Sequence, residues 1–254
     1  NAGAWQDAGI TGAGVKVGVV DWFNMNAWNT TENGPLPTLA NGHVFCKDSA
    51  AFDICNGADI KSYPGDDHGL AVVESLKDIA PGAEIFVAEV ATLSDLQSAI
   101  DWFAANHVTI LNRSLESSFD GPGDGSGPSA DVVDYAAARG INWFNPVGNN
   151  GNGEYVKITV PTTLSASGYV DFDSGAGTDT WMRLDGSYLW FNGVRWSDWA
   201  ASRTDYSVEF WSPKAGTGNA LYYWNANPTS SQVSPLASFN TSQYYYGPSK
   251  LDNS

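Results

Sequence analysis

Basic residues are scarce in this chain: twelve Lys and Arg stand against twenty-eight Asp and Glu, a formal charge of -16 over 254 residues. So acidic a surface is repelled by phosphate backbones and anionic lipid headgroups, which excludes nucleic acid and membrane surfaces as expected partners. Long hydrophobic runs are missing too. Nothing approaches the ~18 uninterrupted apolar residues of a membrane span, and no basic-then-apolar leader opens the chain. If the protein is exported, its signal is expected to have been removed already. Cysteine is nearly absent, with only Cys46 and Cys55, so too few soft ligands exist for a thiolate metal site. The two lie nine positions apart, and either they close a small loop in an oxidising compartment or they remain free thiols; the disulfide is the expectation. Few Lys and Arg alongside many Gly, Ser, Thr, Asn, Trp and Tyr match the composition of extracellular proteins, so secretion is expected.

Apolar residues make up 43% of the chain, enough to bury a sizeable core. Their pattern changes along the sequence. Val15 to Val20 is an apolar run that ends at Asp21, as in a strand buried on both faces. Leu70, Val73, Leu76 and Ile79 recur at helical spacing, and Pro81-Gly82 stops them before a second apolar run, Ile85 to Val90. Ser94 and Gln97 have capping-box spacing ahead of Leu96, Ile100 and Phe103. Val108 to Leu111 reads as a strand, Ser117 to Ser129 as a loop, Val132 to Ala138 as a helix and Ile141 to Val147 as a strand. Strands alternating with single helices predict an α/β fold, a parallel sheet flanked by helices whose ligand site lies beyond the strands' carboxyl ends.

Beyond Gly153 the helical period vanishes. Tyr155 to Val160, Ser187 to Trp196, Tyr206 to Trp211 and Ala220 to Trp224 are short, rich in Tyr, Trp, Val and Thr, and separated by turn-rich stretches. They predict a mostly antiparallel β-sandwich. The organisation expected is therefore residues 1–152 as the α/β part and 153–254 as the β part.

Three polar residues fall where such a sheet would carry chemistry, and each alone is ambiguous. Asp21 at a strand end caps helices or binds ions as often as it catalyses. His68, behind Asp66 and Asp67, could be an ordinary surface histidine. Asn149, between Gly148 and Asn150, could simply make a turn.

Their order and surroundings are more specific, because the first half of the chain resembles the subtilisin family of serine proteases. Gly14-Val15-Lys16-Val17-Gly18-Val19-Val20-Asp21 is similar to the family's Asp segment, and His68-Gly69-Leu70-Ala71-Val72 to its His segment. Asp78-Ile79-Ala80-Pro81-Gly82-Ala83-Glu84-Ile85 resembles the stretch that follows the His helix. Ile110-Leu111-Asn112-Arg113-Ser114-Leu115 looks like the strand lining the substrate cleft, and Ala138-Arg139-Gly140-Ile141 through Pro146-Val147-Gly148-Asn149 like the segment bearing the oxyanion Asn. Together these motifs are far more specific than any one of them.

The resemblance implies a serine endopeptidase acting on peptide or protein. His68 would be general base and acid, Asp21 would orient it, and the Asn149 amide would donate to the oxyanion. Ser114, Leu115, Glu116, Val147 and Gly148 would line the substrate. Departures from the family pattern are also visible. Trp22 and Phe23 follow Asp21 where small residues are usual, making its approach bulkier. Leu70 replaces a common Thr, and Glu116 stands where Gly is ordinary. No Gly-Thr-Ser ahead of a helical pattern follows Asn149. Thr217 and Ser230 lie in β-like or turn-rich sequence and are rejected as nucleophiles. The serine is thus expected on a remaining C-terminal piece of the protease domain, as a separate partner; the alternative is an inactive subtilase scaffold that binds protein or glycan.

Residues 153–254 would then be an insertion, loosely similar over Val194 to Val208 to bacterial prepeptidase C-terminal domains. Trp190, Trp196 and Trp199 either stack on sugar rings or, more in keeping with a sandwich, fill its core. No cofactor is required by the reaction. Asp171 and Asp173, with Gly175, Gly177 and Asp179, either hold a structural Ca²⁺ through oxygen ligands or form a solvated turn.

Overall fold

The computed structural model describes residues 2–28, 36–40, 42–62, 65–115 and 124–148, together with strands at 194–195, 208–213, 221–226 and 236–237. In chain order its elements are α1 (Ala2–Asp7), β1 (Lys16–Val20), α2 (Met25–Trp28), β2 (Val44–Lys47), β3 (Cys55–Asn56), β4 (Asp59–Ile60), α3 (His68–Ile79), β5 (Glu84–Val90), α4 (Leu93–Ala105), β6 (Ile110–Arg113), α5 (Pro128–Ala137) and β7 (Asn142–Phe144). The strands β8 (Val194–Arg195), β9 (Val208–Pro213), β10 (Leu221–Ala226) and β11 (Leu236–Ala237) follow. Two compact units divide the chain, Asn1–Ser117 with Gly123–Asn149 and Ser118–Pro122 with Asn150–Ser254.

In the first unit five strands form one sheet in the order β2-β5-β1-β6-β7, and every pairing is parallel. The α/β expectation of a parallel sheet with flanking helices is what this unit contains. Strand alternation divides its core into two layers. Val17 and Val19 of β1 and Ile85 and Val87 of β5 pack with Leu70 and Val73 of α3. On the opposite face, Val20, Phe86 and Ala88 pack with Leu96, Ile100 and Phe103 of α4 and Val132 and Ala136 of α5. Because β1 is central and both faces are covered, Val17, Val19 and Val20 are all buried, which is why the residues past Lys16 show no alternation of apolar and polar side chains.

Several elements differ from the sequence expectation. The α4 cap is not Ser94 with Gln97. Thr92, in extended backbone, accepts from the Asp95 N–H at 3.1 Å and donates its hydroxyl to Asp95 Oδ2 at 2.9 Å, while Ser94 already lies inside the helix. Asp95 is buried and also accepts the Ser49 N–H at 2.9 Å, so contacts from outside the helix decide where it begins. The third expected strand, Val108 to Leu111, lies two residues further on, at Ile110–Arg113; Val108 instead donates its N–H to Phe103 O as the chain leaves α4. The strand expected to reach Val147 stops at Phe144, one residue before Asn145, whose side-chain amide turns onto Pro146 O. The edge strand β2 was not foreseen. Four residues are too few to display a period, and β2 is ordered by pairing with β5.

Cys46 and Cys55 form the expected disulfide, tying β2 to β3. Closing a loop of this length stabilises a fold by about 2–3 kcal/mol in the chain-entropy account. Replacing both cysteines with Ser is expected to lower the unfolding free energy by that amount in urea titrations, and an unchanged midpoint would refute it.

Among the described residues of the second unit, all elements are strands. β9 pairs with β10 and β8 with β11, both antiparallel. Asp171, Asp173, Trp190, Trp196 and Trp199 lie outside the described residues.

Candidate functional site

The sheet's order reverses at its centre. From β1 the chain leaves towards β5 and β2, whereas β6 and β7 lie on the other side, so loops diverge beyond the carboxyl ends of β1 and β6, the place where a sheet of this kind has its ligand crevice. Asp21 is the first residue past β1. Its N–H donates to Ala88 O at 3.2 Å, continuing the pairing with β5 and fixing the direction of the carboxylate. Asp21 is 1% exposed.

His68 opens α3, on the face of the sheet towards which Val17 and Val19 point. Its position follows from Gly69, whose N–H donates to Trp22 O at 2.9 Å. A Cβ at residue 69 would lie 2.5 Å from that carbonyl and 2.6 Å from the Phe23 ring, so only glycine lets the helix start approach the turn after β1. Gly69→Ala is expected to cost about 1–3 kcal/mol of stability, as overpacking does, and to displace the imidazole. Thermal unfolding checks the first effect, and a midpoint equal to the wild type would contradict it.

This approach brings His68 Nδ1 to 2.7 Å from Asp21 Oδ1. Because an ionised carboxylate only accepts, the neutral ring must carry its proton on Nδ1, leaving Nε2 as the basic nitrogen. The His68 side chain is 52% exposed while that of Asp21 is fully buried. One end of the pair is thus held in the protein and the other faces the crevice. Asp21 Oδ1 also accepts the Trp22 N–H at 2.8 Å, and Oδ2 is buried without a hydrogen-bond partner among the described residues. Burial pushes the Asp21 carboxyl above its ordinary range, opposed by His68, by the Trp22 amide and by the charge of Arg113.

The remaining expected site residues are placed less closely around the pair. Ser114 directly follows β6, as Asp21 follows β1, with Val20 and Arg113 in register; its Oγ accepts from the Asn112 amide at 2.9 Å. Leu115 gives its carbonyl to Arg113 Nη1 at 2.8 Å. Val147, fully exposed, and Gly148, at φ 83°, lie in the loop past β7. Glu116 and Asn149 lie outside the described residues. The bulky approach expected from Trp22 and Phe23 needs correcting for the second residue: Phe23 is fully buried, packed on Trp28 at a ring separation of 6.1 Å, and only Trp22 is exposed. Leu70 is core.

Two charged residues beside the pair were missed in the sequence. Glu89 at the end of β5 is 3% exposed and accepts the Phe23 N–H at 3.1 Å. Burial first, then the charges of Asp66 and Asp21, push its carboxyl up to about 7 against the pull of that hydrogen bond. Arg113, at the end of β6, has a buried Nε without a partner among the described residues; burial weakens its hold on the proton and Asp21 opposes that. The available signal was a charge late in each of two strand-like segments, Glu89 inside the run Ile85 to Val90 and Arg113 two residues past Leu111. No group of three or more His, Cys, Asp or Glu able to hold a metal occurs among the described residues.

No family model and no curated protein matches the chain. Among solved structures it is similar to MycP1 with the N-terminal propeptide removed, at 18% identity and a TM-score of 0.40, covering 65% of this chain and 52% of that one. It is also similar to the PatG macrocyclase in complex with peptide, at 12% identity and a TM-score of 0.33, covering 60% and 56%. The chain thus spans just over half the length of each. The functional reading below rests on this chain's own residues and distances.

Proposed function

We propose that this chain supplies the Asp and His of a subtilisin-like serine endopeptidase whose serine lies on a segment outside it. The observation that carries the reading is the 2.7 Å contact between a half-exposed His68 and a fully buried Asp21, at the crevice where the sheet order reverses. Buried Asp21 holds the Nδ1–H tautomer. His68 Nε2 then takes the serine proton as the hydroxyl attacks the peptide carbonyl and returns it to the leaving amine, while Asp21 stabilises the imidazolium formed between the two steps. Asn149, as oxyanion donor, would lower the barrier by about 2.7–4 kcal/mol. Ser114 and Leu115, beyond β6, and Val147 and Gly148, beyond β7, would flank the peptide with Glu116. A mostly β insertion in residues 153–254 and an extracellular location complete the proposal, the latter supported by the Cys46–Cys55 disulfide, which persists in oxidising compartments.

A second reading, an inactive subtilase scaffold that binds protein or glycan, is favoured by one observation: the 254 residues contain no Gly-Thr-Ser. Fluorophosphonate labelling with intact-mass analysis separates the two, since the probe reacts covalently only with an activated serine. Label on a polypeptide that accompanies or continues this chain is the expected result. An unlabelled parent protein carrying all 254 residues would sink the protease reading in favour of the scaffold.

A further inference from the structure

Glu89 has no part in the proton transfer described above, yet it is a carboxyl buried where its strand calls for an apolar side chain. Alternation along β5 places Ile85 and Val87 in the α3-facing core, and Glu89 continues that series. Its register partner on β2 is Cys46, and on β1 the pairing of Val20 with Ala88 sets Asp21 beside it. A buried carboxyl without strong compensation costs stability, so its presence needs a use.

The hydrogen bonds show what it holds. Glu89 Oε2 accepts the Phe23 N–H at 3.1 Å. One residue earlier, the Trp22 N–H donates to Asp21 Oδ1 and the Trp22 carbonyl accepts from Gly69 at the start of the His68 helix. The turn that aligns both members of the pair is therefore anchored at its far end by Glu89.

We propose that Glu89 is a positioning residue for the Asp21–His68 pair: its carboxyl clamps the Trp22–Phe23 turn to β5, and its state of ionisation sets the charge beside Asp21. The proposal deepens the protease reading and rests on it. The titratable groups around Glu89 are Asp21 from β1 and Asp66 from the segment before α3, both of which disfavour its charge; Cys46 on β2 is in the disulfide and does not titrate. His68 and Arg113 act on Asp21. Repulsion between two buried carboxyls falls on the one that ionises second. The His68 and Trp22 hydrogen bonds favour the charge of Asp21 whereas Asp21 and Asp66 oppose that of Glu89, and a neutral Glu89 leaves Asp21 as the single negative charge of the two next to the imidazole. Once ionised, it adds a second negative charge beside Asp21. Coupling of this kind is reciprocal.

The test is an NMR titration of the full chain, following the Glu89 and Asp21 carboxyl carbons in the wild type, Glu89→Gln and Asp21→Asn. The Glu89 midpoint, at about 7, is expected to fall in Asp21→Asn. The wild-type Asp21 resonance is expected to show a step at the Glu89 midpoint that is lost in Glu89→Gln. Phe23 amide exchange should quicken at least about tenfold in Glu89→Leu, which lacks an acceptor, and not in Glu89→Gln, which keeps one. An unmoved Glu89 midpoint in Asp21→Asn, or an Asp21 step at that pH that survives Glu89→Gln, overturns the proposal even if Glu89→Leu fails to fold. None of these readouts needs turnover. Coupling without fluorophosphonate label on the parent overturns the protease reading alone, and label without coupling overturns the role of Glu89 alone.

Discussion

Asp21→Asn, made in the full polypeptide that carries this chain, is expected to lower the rate of peptide hydrolysis about 10⁴-fold while leaving the fold in place. The reason lies in which atoms can donate. Asp21 Oδ1 accepts from both His68 Nδ1 and the Trp22 N–H, and Oδ2 is buried without a partner among the described residues. An Asn at this position has one oxygen and one NH₂ to distribute between those two places. With the oxygen towards His68, the NH₂ is buried with nothing to donate to, an arrangement costing about 1–3 kcal/mol. With the NH₂ towards His68, the ring must accept on Nδ1 and carry its proton on Nε2, the nitrogen that has to act as base. Either way the negative charge that stabilises the imidazolium is gone. The measurement is hydrolysis of a peptide substrate, with circular dichroism confirming the fold. A loss smaller than about tenfold would mean that Asp21 neither orients nor charges a catalytic histidine.

The second large effect concerns stability. Between pH 5 and pH 8 the wild-type chain is expected to lose unfolding free energy that Glu89→Gln retains. Folding raises the Glu89 carboxyl from 4.5 to about 7. Below 4.5 both states hold the proton and the group contributes nothing to the pH dependence. Between 4.5 and about 7 the unfolded chain has released its proton while the folded chain keeps it, so stability falls as pH rises. Above about 7 the folded chain carries the full cost of the buried charge. That interval corresponds to about 3 kcal/mol as an upper bound. Gln keeps the shape and an acceptor for the Phe23 N–H but cannot ionise. Its advantage over the wild type should therefore be near zero at pH 4 and approach about 3 kcal/mol at pH 8. Burial pushes Asp21 in the same direction, so both proteins share that part of the decline and it cancels in their difference. Urea titrations at the two pH values measure it, and a difference independent of pH would show that Glu89 ionises in the folded chain much as it does in the unfolded one.

Both effects meet at one point of the sheet, and the sequence discloses the residues there unequally. Asp21 is legible because it ends the apolar run from Val15 to Val20, and His68 because it precedes a helical period with Gly69 behind it. Gly69 itself reads as a permissive residue, although its role is a steric one: the Trp22 carbonyl and the Phe23 ring occupy the space a Cβ would need. Phe23 reads as an obstruction near Asp21 yet is buried in the core with Trp28. Nothing local reveals which way a ring turns after a strand end. Glu89, inside its apolar run, and Arg113, two residues past Leu111, look like ordinary charges, and their meaning comes from lying on the two strands that flank β1.

The sequence by itself determined the α/β character of the first 150 or so residues, since short apolar runs and the 3.6-residue period are local properties of each segment. It also determined that helices stop at the Pro81-Gly82 turn and that the later residues favour strands. Tertiary structure alone decided the sheet order, the existence of the four-residue edge strand β2, the Thr92 start of α4 and the contact between residues 21 and 68. Each of these depends on pairing or packing with residues distant in the chain. The perturbed carboxyls belong to the same group, because the cost of a charge depends on how much water the folded chain removes from around it.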